Sequence, residues 1–210
     1  MNYTQLKTAI QEYTQNTETS FVSNIDTFIG QAEERIFYDV DIPDFHKNVL
    51  GTATAGSVYL SKPTDFYRAY SMAVVDSENV YTFLIPKDVS FIREAFPDSD
   101  TTGTPRFYAH FDDDFFLIAP ATSSSFSTEL HYKAKPVQLS SSNANTWLSD
   151  NAESALLYGT LVEAYTYLKG EQDIMAFYEK RYKEALGSLT QYGAIETNVD
   201  SYRNGMRQTA

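Results

Sequence analysis

Residues 152–168 read AESALLYGTLVEAYTYL. Small and apolar side chains recur there at steps of three and four, the spacing of one face of an α-helix. Asp150 followed by Glu153 is typical of a capping box at a helix start, and Gly170 is typical of a helix end. The same period resumes after Gly170 and continues to Tyr192. The sequence therefore predicts a pair of antiparallel helices, a helical hairpin, in the C-terminal part of the chain.

The N-terminal residues carry the same helical period. Apolar side chains share one stripe over residues 3–13, and a longer stripe runs over residues 21–40. Asn24 is the predicted internal N-cap of the second helix. Pro43 ends this helix, because the residue before a proline is driven out of the helical region.

Between these helical parts the apolar period changes to two, which is typical of short antiparallel strands. A short helix over residues 90–96, with Asp88 as its N-cap, interrupts the strands. The predicted strands cover residues 46–54, 58–60, 66–75, 80–86, 106–111, 115–119 and 125–133, with hairpin turns at residues 55–56, 76–79 and 112–114.

These elements predict an α+β fold, a helical bundle from the N- and C-terminal helices with an inserted antiparallel β-rich region and an extended C-terminal tail. The tail is predicted because the last residues have neither a helical nor a strand period. The predicted parts are residues 1–45 (N-terminal helices), 46–139 (inserted β-rich region), 140–194 (C-terminal helical hairpin) and 195–210 (extended tail).

Composition excludes several classes of function. The chain has 210 residues, a net charge of −12 and no cysteine, so thiolate catalysis, disulfides and Cys-based zinc sites are excluded. Most Lys and Arg residues are scattered singly, whereas tight binding of nucleic acid requires clustered cations. No run of about 18 apolar residues could span a bilayer, and residues 1–7 lack the pattern of a signal peptide. We therefore expect no membrane partner, and synthesis in the cytoplasm.

The 16 Tyr and 14 Phe residues are the unusual feature of the composition. A Tyr side chain has an apolar body and a polar tip, so it suits a surface that is wet before assembly and buried afterwards. The aromatic content indicates contact surfaces.

Few residues are candidates for chemistry. Residues 112–114 are three aspartates, but a calcium loop needs acidic groups at alternate positions, so we predict a solvated turn. His46, His110 and His131 lie on predicted strands outside any metal-binding pair, and we expect packed or edge residues. Glu163 has apolar neighbours in a predicted helix, and we expect it to bond to another helix. Phosphate loops and nucleophile motifs are missing, so we predict no enzyme, catalytic residue, cofactor or metal.

Six stretches share one arrangement along the chain, and the match extends over residues 3–189. They are residues 21–28 (FVSNIDTF), 31–36 (QAEERI), 91–97 (FIREAFP), 108–114 (YAHFDDD), 147–153 (WLSDNAE) and 156–165 (LLYGTLVEAY). This arrangement resembles the head-to-tail adaptor proteins of tailed bacteriophages. It is closest to the adaptors of short-tailed phages, including those called tail tubular protein A.

The resemblance implies a structural protein of the virion, located at the head–tail junction. It implies a homo-oligomeric ring of twelve subunits that docks under the portal protein, continues the DNA channel and receives the tail nozzle or tube. DNA would pass through such a channel without specific binding. A C-terminal extension reaches the portal in these adaptors, which assigns portal binding here to Ile195, Val199, Tyr202, Arg203, Met206 and Arg207.

Two alternatives stay open at this point. One is a connector or tail-terminator protein of a long-tailed phage, which only copy number and neighbouring proteins would separate from the first interpretation. The other is a carbohydrate-binding or hydrolytic protein with an aromatic, acidic cleft.

Overall fold

The structure, a computed structural model, describes residues 1–98 and 100–198, with the side chains described up to residue 193. The chain divides into two units. The first comprises Met1–Asp44 and Pro136–Ala210, and we call it the helical unit. The second comprises Phe45–Lys135, and we call it the β unit. The predicted α+β class is confirmed.

Six helices lie in the described part of the chain, and all but the third belong to the helical unit. They are α1 (Tyr3–Thr14), α2 (Thr19–Asp39), α3 (Val89–Ala95), α4 (Trp147–Asn151), α5 (Glu153–Tyr167) and α6 (Gln172–Asn198), with a short 3-10 helix at Pro43–Phe45. Over residues 1–98 and 100–198, we find no helix with the length and apolar character needed to cross a bilayer.

The centre of the helical unit is α5, which packs against α1, α2 and α6. Its sequence is apolar around most of the helix, and such a helix is stable only when neighbours surround it. Glycine at position 159 allows close packing, because an added Cβ would lie 3.1 Å from the Tyr182 ring and 3.3 Å from Cβ of Ala32. The core includes Leu6, Ile10, Phe21, Ile25, Ile29, Leu156 and Leu161.

Two predicted helix starts are wrong. Asn24 lies inside α2, where its side-chain amide donates to the Ser20 carbonyl at 2.7 Å, and the N-cap position belongs to Glu18. The capping box near α5 is formed by Thr146 and Ser149, which start α4 four residues before the predicted position. Both errors have the same cause, because a capping residue is identified by its backbone conformation and several nearby polar residues fit the sequence pattern equally well.

The helical period of the sequence ends at Tyr192, but α6 continues to Asn198. Residues 195–198, which the prediction assigned to the tail, lie in this helix. An added Cβ on Gly193 would collide with the carbonyl oxygen of Asp41 and lie 3.1 Å from Cγ2 of Ile42. This glycine permits close packing of α6 on the segment after α2, and it does not stop the helix.

The β unit contains two four-stranded sheets and one two-stranded ribbon. The strands are β1 (His46–Ala53), β2 (Tyr59–Ser61), β3 (Phe66–Val75), β4 (Tyr81–Phe83), β5 (Ile85–Pro86), β6 (Thr102–Gly103), β7 (Phe107–His110), β8 (Phe115–Ala119), β9 (Ala121–Thr122) and β10 (Phe126–Ala134). The strand orders are β1-β10-β3-β4, β2-β8-β7-β5 and β6-β9. Side chains from both four-stranded sheets form one core, which includes Met72, Val74, Tyr108, Phe116, Ile118 and Leu130.

The strands depart from the prediction in three respects. The turn at residues 55–56 does not join a hairpin, because β1 pairs with β10 and β2 pairs with β8. The pairs β5–β7 and β6–β9 are parallel, although only antiparallel pairs were expected. The predicted strand over residues 80–86 divides at the buried Leu84 into β4 and β5, which join different sheets.

Candidate interaction surfaces

The three consecutive aspartates form a turn, as predicted. Asp112 lies between β7 and β8, and its Oδ1 accepts the backbone N–H of Asp114 at 2.9 Å and that of Phe115 at 2.7 Å. This carboxylate is therefore occupied by the hairpin itself, in the manner of an Asx turn. Within residues 1–98 and 100–198 no three His, Cys, Asp or Glu side chains lie together in a way that could hold a metal ion.

The histidines are packed against aromatic rings, as expected. The Tyr70 hydroxyl lies 2.8 Å from Nε2 of His46, and the ring of His131 lies 5.5 Å from that of His46. His110 packs on the ring of Phe116 at 5.2 Å. Burial lowers the pKa of His131, and the neighbouring His46 lowers it further. Burial likewise lowers the pKa of His110, so these rings favour their neutral form.

Glu163 pairs with another helix, as predicted. Its Oε1 accepts a hydrogen bond from Nη1 of Arg35 on α2 at 2.8 Å. The second terminal nitrogen of Arg35 lies 3.4 Å from Oε2 of Glu179 on α6. The guanidinium also lies over the ring of Tyr182, at 4.7 Å from the ring centre. Arg35 thus joins α2, α5 and α6, and the two carboxylates have a structural role.

Glu33 is a buried carboxyl group that sequence reasoning missed. It lies on α2 with 4% of its surface exposed, and its Oε2 accepts the backbone N–H of Leu139 at 2.9 Å. Burial raises its pKa to about 7, although the bonds from Leu139 and Thr146 act in the opposite direction. A signal was available, because Glu33 is four residues after Ile29 and four before Phe37 on the apolar stripe of α2.

The first sheet of the β unit has an exposed face with apolar side chains. The pairing register places Leu50, Glu129, Ala73 and Phe83 in one row across the four strands. Leu50 is 73% exposed, Phe83 is 65% exposed, and Tyr81 next to it is 51% exposed. The hydrogen bond with Glu129 raises the pKa of Tyr81. We call Leu50, Tyr81, Phe83 and Glu129 the outer-face patch, and exposed apolar clusters of this kind mark contact sites.

The helical unit has a groove between α4, the start of α5, and α6, which we call the α4–α6 groove. Its volume is about 740 Å³. Aromatic rings lie at one end, where Trp147 and Tyr192 are 6.0 Å apart. Charged side chains line the rest, among them Asp150, Arg181 and Glu184. Sequence reasoning did not predict this groove, because it requires α4 and the C-terminal half of α6 to lie side by side.

The predicted portal-binding residues lie mostly outside the described part of the chain. Ile195 belongs to α6, but its side chain is outside the described residues. Val199, Tyr202, Arg203, Met206 and Arg207 also lie outside them. Their role therefore stays a prediction.

Comparison with models of protein families gives a match over nearly the whole chain. The model of the family described as SU10 adaptor protein matches residues 1–209. A search of curated protein sequences finds no match.

Proposed function

Because the chain belongs to the SU10 adaptor protein family, a family of phage adaptors, we propose that it is a non-enzymatic subunit of the ring that joins head and tail. Twelve copies form the ring, which binds the portal protein on one side and the tail nozzle or tube on the other. The family match over residues 1–209 carries this proposal, because it includes both units and the C-terminal residues. We also propose that, within the phage adaptors, the chain is most similar to those called tail tubular protein A.

Ring formation needs two different contact faces on each subunit, because a heterologous contact closes only when one face meets its complement on the next copy. The outer-face patch supports such a role. Aromatic side chains contribute strongly to protein contacts when water is excluded from them, and here Tyr81 and Phe83 lie with Leu50 around the acidic Glu129. We assign this patch to the contact between neighbouring copies.

The ring and this contact can be tested on the purified chain, alone and with purified portal protein, by native mass spectrometry and electron microscopy. We expect twelve copies of the chain in each complex with the assembled portal. Leu50→Asp with Phe83→Asp should keep the circular dichroism spectrum and abolish ring closure. Val137→Asp is the matched control, because Val137 is 75% exposed and lies in the other unit. Normal rings in the double variant would contradict the patch assignment alone, whereas a chain that never binds portal would contradict the adaptor role.

The C-terminal residues are proposed to bind the portal, through Ile195, Val199, Tyr202, Arg203, Met206 and Arg207. Arg, Tyr and Met are suited to anchoring on a protein surface. Deletion of residues 201–210 should leave the fold intact, as measured by circular dichroism, and weaken the capture of the chain by immobilised portal. Capture at the level of the intact chain would show that the anchor lies elsewhere.

DNA is proposed to pass through the ring without specific binding. The net charge of −12 repels phosphate, and this repulsion acts over about 8 Å at physiological salt. We expect binding of duplex DNA weaker than about 1 μM in a fluorescence anisotropy titration, since non-specific affinities are typically of this order or weaker. Tighter binding at physiological salt would exclude a repulsive channel.

A further inference from the structure

The α4–α6 groove has the shape and chemistry of a site for an extended peptide. It is bounded by α6 on one side and by α4 with the first turn of α5 on the other, all within the helical unit. Trp147, Tyr158, Leu189 and Tyr192 give it apolar surface. Flat aromatic surfaces beside carboxylates are suited to arginine, which stacks on rings and bonds to carboxylates at the same time.

The groove has one acidic group, Asp150, for which the described residues provide no cationic partner. Glu153 is paired with the N-terminal ammonium of Met1 at 3.1 Å, and Glu184 with Arg181 at 3.6 Å. Asp150 accepts a hydrogen bond from the Ser149 hydroxyl at 3.3 Å, and among the described residues no cation is within ion-pair distance of it. A ligand with arginine would complete this site.

The chain itself contains such a ligand directly after α6. Residues 199–210 read VDSYRNGMRQTA, with two arginines four residues apart and Tyr and Met beside them. These twelve residues carry two cations and one acidic side chain, so their charge is complementary to the groove.

The distances permit the segment to return to the groove of its own chain. From Asn198 back to Ser188 is ten residues of helix, or about 15 Å at 1.5 Å per residue. The eight residues 199–206 span about 26 Å when extended, which leaves length for the chain to reverse after α6, so Met206 and Arg207 can reach the level of Ser188. Arg203 can reach the ring of Tyr192, which is about 9 Å from Asn198 along the helix.

We propose that residues 199–210 bind in the α4–α6 groove of the same chain, with the arginines on its carboxylates and aromatic rings. The free adaptor subunit then holds its C-terminal segment against its own helical unit, and a partner that binds this segment must first displace it from the groove. This contact forms within the isolated chain and requires neither ring formation nor portal binding.

The absence of cysteine from the chain allows a direct test by disulfide trapping in the full-length protein. Ser188→Cys, which places a thiol on the groove wall, is combined with Met206→Cys. Ser23→Cys with Met206→Cys is the matched control, because Ser23 is an exposed serine on α2 in the same unit. With oxidised glutathione, we expect the groove pair to form an intrachain disulfide at least tenfold faster than the control pair, measured by mass spectrometry under non-reducing conditions.

Two further measurements distinguish the other occupants. Adding Arg203→Glu and Arg207→Glu to the Ser188→Cys, Met206→Cys chain should slow formation of the intrachain disulfide about tenfold. In the cysteine-free chain, the same two changes should shift the fluorescence emission of Trp147, the single tryptophan. Equal trapping rates for the groove and control pairs would overturn the proposal. Disulfide-linked dimers would also overturn it, since the occupant would then be the segment of a second copy.

Discussion

Replacing Glu33 by glutamine tests the most unusual electrostatic feature of the helical unit. The carboxyl group is buried, and its pKa is raised from 4.5 to about 7, first by burial. The folded chain therefore holds a proton that the unfolded chain has already released, and the free energy of unfolding falls as the pH rises between these two values. At about 1.4 kcal/mol for each pKa unit, the loss amounts to about 3 kcal/mol and is complete near pH 8.

Glutamine has nearly the same shape and no charge at any pH. Its carbonyl oxygen can accept the N–H of Leu139, and its amide nitrogen can face the hydroxyl of Thr146, which lies 3.5 Å from the carboxylate in the present structure. We expect Glu33→Gln to match the parent chain at pH 4.5 and to be more stable by about 3 kcal/mol at pH 8.

Urea unfolding between pH 4.5 and 8 measures this difference, and the fluorescence of Trp147 on α4 reports the helical unit. Glu34→Gln is the matched control, because Glu34 is the exposed neighbour on the same helix. Subtracting the parent curve from that of each variant removes the contribution of every other titratable group. If the advantage of Glu33→Gln did not change with pH, or if this variant were less stable than the parent at pH 8, the argument from burial would be wrong.

Three further predictions concern packing, ion pairing and the turn. Gly193→Ala should lower the free energy of unfolding in urea by about 1–3 kcal/mol, because the added methyl group displaces α6 from Asp41. Gly187→Ala on the same helix is the control: its methyl group meets open space, so the free energy of unfolding should rise by up to about 1 kcal/mol. Equal effects of the two changes would exclude the close contact at Gly193. Arg35→Met should lower the free energy of unfolding by about 1–3 kcal/mol, because Glu163 and Glu179 lose their shared partner. Lys183→Met, at the exposed pair with Glu179, is the control and should change the free energy of unfolding by less than about 1 kcal/mol. An unchanged stability of Arg35→Met would show that the network contributes nothing. Asp112→Ala should speed hydrogen exchange at the amides of Asp114 and Phe115 about tenfold, because it removes the acceptor of both bonds, whereas Asp113→Ala should leave the exchange unchanged. Calcium should not raise the melting temperature of the parent chain or of either variant. A large rise with calcium in the parent chain would restore the metal interpretation.

Much of the local structure followed from the sequence, because periodicity and turn chemistry act over a few residues. The stripe in residues 21–40 and the apolar repeat of α5 predicted two helices that the structure contains. The strand boundaries of β3 and β8 agree with the prediction at both ends. Asp112 was correctly assigned to a turn, since its side chain bonds to backbone groups two and three residues later.

Contacts between distant residues could not be predicted in this way. The partner of β1 is β10, about 80 residues later, and no local pattern specifies that pairing. The same limit applies to the α4–α6 groove and to the apolar outer face of the first sheet.

The amino-acid sequence by itself determined most of the helical and extended segments and the absence of cysteine. Only the tertiary structure decided that Glu33 is buried and that Gly193 is a close contact within a continuing helix. The physical reason is that desolvation and steric contact depend on what surrounds a residue in space, whereas periodicity depends only on its neighbours along the chain.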